Sequence, residues 1–380
     1  MRVIRAGMNK ARGFTLVELM LAIAITAIAI AAAFLLFRDS VKTNANVTQA
    51  ADVSDNMRAG LNLIVQDLIQ TGTGIPTGGI SIPNTIDASG CNIGAPVNRP
   101  PAVLNLTFAG PNSATPHCNV ILPAIEPGFG LGPKVIGPDG ATVPATDIIT
   151  MMYADNTLSL LQKAVNGTAC PNGSVAADGS TITFDNNCVT LGAAGIPVNP
   201  GDLLMIYNSN NSNGILQTVT SVSGQTLTFA SGDAFNLNGR STTEVAGTIR
   251  QLQNLTGGVP DGTYPPTSAT RIWMITYYVD TTTDPLHPRL MRQVNFNTPQ
   301  TVAESLESLN FTYNFADGTS PAPVNQTTVP PPDNENQIRS VNVYMGARSA
   351  ASKAGSNRHI RSNLSTQVAL RSMAYFDTYK

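Results

Sequence analysis

Between positions 14 and 37 the chain reads FTLVELMLAIAITAIAIAAAFLLF, 24 residues with only three polar side chains, Thr15, Glu18 and Thr26. As an α-helix this run extends about 36 Å, enough to cross a hydrocarbon core about 30 Å thick. It is longer than the apolar core of a cleaved secretory signal and is followed by Arg38 and Asp39 instead of a small-residue cleavage site, so it is expected to be retained. No proline interrupts positions 14–70 and Gly60 is the one glycine, which predicts a continuous helix until TGTGIPTGG, with Pro76, ends it. Such a helix is roughly 85 Å long. In its outer half Val53, Met57, Leu61, Ile64 and Leu68 recur at steps of three and four, an apolar stripe that should dock on the domain that follows. Asp52, Asp55, Asn56 and Asn62 should face solvent on the other side.

Beyond Thr71 the pattern changes to short apolar or alternating runs separated by turn residues. Strands are expected at VLNLTF (103–108), DIITMMYA (147–154), STITF (180–184), DLLMIYN (202–208), RIWMITYYVD (271–280), PRLMRQVNF (288–296), LNFTYNF (309–315) and IRSVNVYMGARS (338–349). The run ILQTVTSVSGQTLTFA (215–230) reads as a hairpin turning at Ser223-Gly224. Residues 72–101, 126–140 and above all the proline-rich 316–336 lack apolar periodicity and are expected to be exposed, partly extended loops. An inserted subdomain around 91–140 is the alternative to one undivided body, and no internal repeat is evident. The fold class that results is α+β: a long N-terminal helix on a large, mainly antiparallel β-domain.

Composition sharpens this picture. Charged residues are 12% and aromatics 6% of the chain, with 32 Gly and 26 Pro, as suits a turn-rich β-body exposed outside the cytoplasm. A formal net charge of −2 gives no reason to expect a nucleic-acid partner. The distribution of charge says more, because Arg2, Arg5, Lys10 and Arg12 crowd the first thirteen residues without an acid, as a cytoplasmic leader requires. Cys91, Cys118, Cys170 and Cys188 all follow the apolar segment, and an even count in an exported chain favours disulfides. Of the three connectivities, sequential pairing would staple one loop-rich excursion with Cys91 and Cys118 and another with Cys170 and Cys188; four buried thiols are the alternative. A zinc site has little support, since no CxxC pair exists and His117, His287 and His359 are scattered.

Enzyme chemistry finds no foothold in the sequence. There is no GxSxG, HExxH, P-loop or EF-hand pattern, and GFGLG (128–132) lacks the strand and helix context of a dinucleotide site. Asp185, Asn186 and Asn187 offer oxygen ligands, but such clusters usually make turns, and no metal ligand or cofactor is assigned.

Glu18 is the anomaly, because a lone carboxylate in hydrocarbon costs at least a few kcal/mol. If the chain is cut between Gly13 and Phe14, the new α-amino group lies four residues from Glu18, and the amine of a neighbouring subunit can neutralise it when apolar helices bundle. The alternative is a residue just inside the interface, reaching toward the headgroups. The string RGFTLVELMLAIAI, with the basic leader before it, closely resembles the type IV prepilin signature. The resemblance implies a type IV pilin-like fold divided into a leader (1–13), a transmembrane and filament-core helix (14–37), an amphipathic continuation (38–71) and a β-rich head (72–380). It implies that prepilin peptidase cuts after Gly13 and N-methylates Phe14, and that Glu18 is the assembly glutamate. The implied location is the bacterial inner membrane, with the head in the periplasm, and then the pilus on the cell surface. The implied partners are other minor and major pilins, the inner-membrane pilus assembly machinery, and membrane lipid before assembly. MNKARG from Met8 is by itself a complete short leader, so translation from Met1 or Met8 gives the same mature chain.

Later strings, GDLLMIYN, YYVD followed by PRLMRQ, IRSVNVYMGARS and STQVALRSMA, resemble in order the PilW branch of minor pilins. That resemblance implies a subunit that primes or caps a type IV pilus and supports adhesion, motility or DNA uptake. Two other readings share the N-terminus: a J-like minor pseudopilin of type II secretion, and a tip adhesin or DNA-binding module that uses the long loops.

Overall fold

The apolar run and the amphipathic run form one helix, α1 (Leu16–Gln70). The computed structural model describes residues 15–374 apart from 84, 88–89, 93–95, 109–120, 138–139, 141, 160–172, 186–189, 193–194, 241–245, 317, 319–320 and 331–332. The helix stops where Gly72 takes a φ of 83°, a left-handed conformation that glycine adopts without steric cost. By contact density the chain divides into two units, one holding the chain up to Asp52 with Ser349–Ile360, the other Val53–Arg348 with Arg361–Lys380.

The larger unit is the β-head with the outer half of α1. Among the described residues nine strands form its main sheet: Ile80–Ser81 (β1), Ile121–Leu122 (β2), Ile125–Gly128 (β3), Ile148–Ser159 (β4), Leu203–Asn208 (β5), Asn211–Thr218 (β6), Ser268–Asp280 (β7), Arg289–Val294 (β8) and Gln300–Glu304 (β9). Their order is β9-β8-β7-β5-β6-β1-β2, with β4 and then β3 on the opposite edge of β7. All these pairs are antiparallel except β1 with β6.

Two strands share one edge of β7, β5 up to Ile272 and β8 from Ile275. Asn295 fills the break between them: its N–H donates to the Met274 carbonyl at 2.6 Å and its Oδ1 accepts from Met274 N–H at 3.0 Å. Asn295 has a φ of 52°, which its short polar side chain tolerates better than most. The apolar run LLMIYN of β5 is continuous, not alternating, because both faces of the strand are covered. Leu203 and Met205 join the core under α1, while Leu204 and Ile206 join a second core beneath a small sheet of Ser174–Val175, Thr181–Thr183, Thr226–Thr228 and Ser221–Ser223.

A second, three-stranded sheet runs Leu306–Phe315 (β10), Ile338–Ser352 (β11) and His359–Ala369 (β12) in that order, followed by a short helix, α2 (Arg371–Ala374). Leu309, Phe311 and Tyr313 of β10 and Val341, Val343 and Met345 of β11 share one core with Met57, Ile64 and Leu68 of α1. The stripe expected to dock on the β-domain is therefore the buried face of the helix, with Leu61 partly buried beside it.

Several local expectations need correction. Asn56 is half-buried and not simply solvated: its Nδ2 donates to the Glu304 carbonyl at 2.9 Å and its Oδ1 accepts from Glu304 N–H at 3.3 Å, so one side-chain amide caps the edge of β9 at that residue. Residues 103–108 are not a strand throughout. A 3-10 turn, Ala102–Leu104, and Asn105 at a φ of 49° leave only Leu106–Thr107 extended. The hairpin placed over 215–230 is shorter, because Ile215 to Thr218 pair with β5 and Val219 still bonds across to Asp202. The true hairpin pairs Ser223 with Thr226, and its two-residue loop is Gly224-Gln225 with a φ of 57° at the glycine. Within 126–140 the chain is partly strand, since β3 pairs with β4 and the buried Arg99 guanidinium bonds the carbonyls of Pro127 and Glu126. The described part of 316–336 is also tied down, with Phe315 N–H donating to the Pro323 carbonyl and Tyr313 exchanging two backbone bonds with Gln326.

The smaller unit contains the first half of α1 and the tip of the β11–β12 hairpin. There Ala354 N–H donates to Asn46 Oδ1 at 3.0 Å, and Lys42 lies beside Gly355.

Candidate functional site

Two carboxylates on α1 define the chemistry of the helix. Glu18 sits in the first turn, and Thr15 closes that turn with it. The Glu18 carboxylate accepts from the Thr15 N–H at 3.0 Å and from the Thr15 hydroxyl at 2.9 Å, while Glu18 N–H donates to Thr15 Oγ1 at 3.3 Å. This is a reciprocal cap of the S/T-x-x-E type, and it satisfies donors that a helix start otherwise leaves orphaned. The negative charge also faces the positive end of the helix dipole. The reading of Glu18 as a charge awaiting a cation missed this partner in its own chain, although Thr-Leu-Val-Glu before an apolar run is the sequence signal for it.

From Leu16 to Phe37 the helix presents bare aliphatic surface. Leu16 and Leu36 are each 74% exposed and no residue of the segment is buried, so the described residues supply no cover for it. The helix is long and apolar enough to cross a membrane. Gly13 and Phe14 lie outside the described residues, as do the side chains of Cys91, Cys118, Cys170 and Cys188; the backbone of Cys91 belongs to the short strand Gly90–Asn92.

Asp67, near the other end of α1, was not singled out by sequence reasoning, yet it is the most heavily used group on the helix. It is 5% exposed and points into the sheet. Arg292 of β8 grips it with Nε at 2.8 Å and Nη2 at 3.1 Å, and the Tyr277 hydroxyl of β7 donates to it at 2.6 Å. Tyr153 approaches at 3.4 Å. Burial and the neighbouring Asp67 charge push the Tyr277 phenol well up and that of Tyr153 to about 12, so both remain donors at neutral pH. Burial pulls the Arg292 guanidinium down, but its bond and charge contact with Asp67 outweigh this and hold it protonated. The sequence signal was weak: one acid at a three-residue step from Ile64 on an otherwise apolar face.

A second cluster pins the other sheet. Glu307 of β10 bonds Arg348 of β11 at 3.0 Å and Arg361 of β12 at 2.7 Å. Burial raises the Glu307 carboxyl, yet the two guanidiniums bring it below the ordinary glutamate value. All these groups are engaged in holding strands or the helix in place.

A family model described as the prokaryotic N-terminal methylation motif matches residues 8–34. No curated protein and no solved structure matches the chain. The match covers the end of the leader, Gly13, Phe14, Glu18 and most of the exposed apolar helix, and it agrees with a geometry in which that helix has a capped start and, among the described residues, no cover. The motif and the helix behind it, which is long and apolar enough for a membrane anchor, support a type IV pilin-like prepilin of the kind processed for assembly into a pilus or pseudopilus.

Proposed function

We propose that the chain is a minor pilin that joins other pilins to prime or cap a type IV pilus, and that its role is structural, not enzymatic. The observation that carries this reading is the uncovered face of α1 with one carboxylate at its start: burying that face demands neighbours, and burying that carboxylate demands a cation. After cleavage behind Gly13 the Phe14 amine of an adjacent subunit supplies the cation, so the Glu18 charge sets the stagger between helices. The strings that resemble the PilW branch support a pilus over a secretion pseudopilus, and deletion of the gene separates the two by loss of surface pili or loss of secreted substrates.

The cap seen at Thr15 gives a sharper test than alanine alone. Glu18→Gln keeps an acceptor able to cap Thr15 but removes the charge. If inter-subunit pairing is the role, Glu18→Gln and Glu18→Ala should both reduce surface piliation by about tenfold or more, the cost of one unpaired site in apolar surroundings. The melting midpoint of the head should not move in either variant. Piliation restored by glutamine would leave capping as the whole role of Glu18. Mass spectrometry of the mature chain should find methylated Phe14 as its first residue; a retained basic leader would remove the basis of the proposal.

A further inference from the structure

The head closes its strand edges with some care. Asn56 caps β9 at Glu304. Asp147 covers the outer edge of β10: its N–H donates to the Leu309 carbonyl and its Oδ2 accepts from Phe311 N–H at 2.8 Å, after which Gln326 and Pro323 continue the row. Beyond β6 lie β1 and Asn238, whose amide bonds both Thr218 N–H and the Thr218 carbonyl. The remaining outer strands of the main sheet, β2 and β3, have two and four residues, and β3 contains Pro127.

β12 is treated differently. It is eleven residues long and forms the end of its sheet. Leu370 N–H donates to the Arg339 carbonyl of β11, which places the even-numbered residues of β12 in the ladder and turns the N–H and C=O groups of Asn363, Ser365, Gln367 and Ala369 to the open side. Among the described residues none of these outward groups has a backbone or side-chain partner. The sequence from 361 to 369, RSNLSTQVA, contains no lysine, proline or glycine, the residues with which proteins usually blunt an edge. Its one charge, Arg361, is held by Glu307. The hairpin tip that leads into β12 is hydrogen-bonded to α1 through Asn46.

We propose that the outer edge of β12, residues 363–369, receives a β-strand from a pilin-type subunit of different sequence. The inference rests on the filament reading above. Subunits that enter a filament from one membrane stand in the same direction and meet through unlike surfaces. A second copy would therefore have to offer some other long open edge to β12, and among the described residues this chain has none. A partner with such an edge completes the sheet by main-chain hydrogen bonds. The alternating polar side chains of Asn363, Ser365 and Gln367 are then read by its neighbouring residues. A subunit with one long receiving edge and no matching second edge fits a position at the start of an assembly better than one repeated along it.

The test uses the full chain in cells that make the pili, with a photo-reactive amino acid at Gln367. The expected product is a cross-link to an extended segment of another chain that itself carries a prepilin N-terminal motif. Ser365→Pro should lower its yield about tenfold by removing an outward N–H and the bonds around it, while the head keeps its melting midpoint because that N–H is outside the ladder. Thr366→Pro, which removes an N–H inside the ladder, should lower the midpoint, confirming the register. A cross-link to a second copy, to a chain without the motif, or none in piliated cells that contain the mature protein would overturn the proposal. If the mature protein does not begin at Phe14, the filament reading fails and this inference with it, an outcome distinguishable from failure at β12 alone.

Discussion

Asp67 places a carboxylate inside a helix–sheet interface, where an ionised group survives only if its surroundings replace water. Arg292 and Tyr277 do so with three hydrogen bonds of 2.6–3.1 Å. Removing the acid leaves the guanidinium and a buried phenol without their partner, so Asp67→Ala should destabilise the head by about 3 kcal/mol. Asp67→Asn, which keeps an acceptor, should cost less, and denaturant melts of the two variants check the order. Sequence reading found Glu18 and passed over Asp67 for a physical reason. A carboxylate in a 24-residue apolar run is conspicuous, whereas one acid among polar neighbours becomes special only when β7 and β8, more than 200 residues away, bring their side chains to it.

At the scale of elements, α1 and the sheet fit closely around Gly60. A β-carbon there would meet Leu290 Cδ2 at 3.0 Å and Ala303 Cβ at 3.1 Å, so glycine allows the helix to approach β8 and β9. Gly60→Ala sets a gain in helix propensity of about 1 kcal/mol against overpacking of about 1–3 kcal/mol, and should be mildly destabilising. Gly60→Val adds two methyls and a β-branch and should lower the melting midpoint much further; a variant as stable as wild type would mean that the interface yields. The stripe that faces this sheet was legible in advance, because a three- and four-residue repeat needs only the helix itself to define it. The long strands β4, β5, β7, β8, β10 and β11 were legible for a similar reason, each being an apolar or alternating run bounded by turns. What escaped were features set by partners distant in sequence. The strand that begins at Asn211 has a polar first half held by pairing with Asn208, and the hairpin at 221–228 is short because Val219 bonds to the main sheet first.

For the whole molecule, the N-terminal helix serves two separable purposes, and the division falls near Asp52. Before it, the residues that are exposed as bare aliphatic surface contribute nothing to the core of the head. After it, Met57, Ile64 and Leu68 are each 0% exposed and form part of the same core as β10 and β11. A chain that begins at Val53 should therefore be soluble, well dispersed in its NMR spectrum, and cooperative on melting. A chain that begins at Thr71 loses these three side chains together with Asp67. Each buried aliphatic side chain is worth roughly 2–5 kcal/mol, so the sum reaches the whole net stability of a domain, about 5–15 kcal/mol. The shorter fragment should collapse without a cooperative transition and bind a dye for exposed apolar surface. If it instead melts like the longer one, the outer half of α1 is an attachment to a head that folds without it, and the carboxylate–guanidinium pair at Asp67 fastens two independent parts instead of completing one.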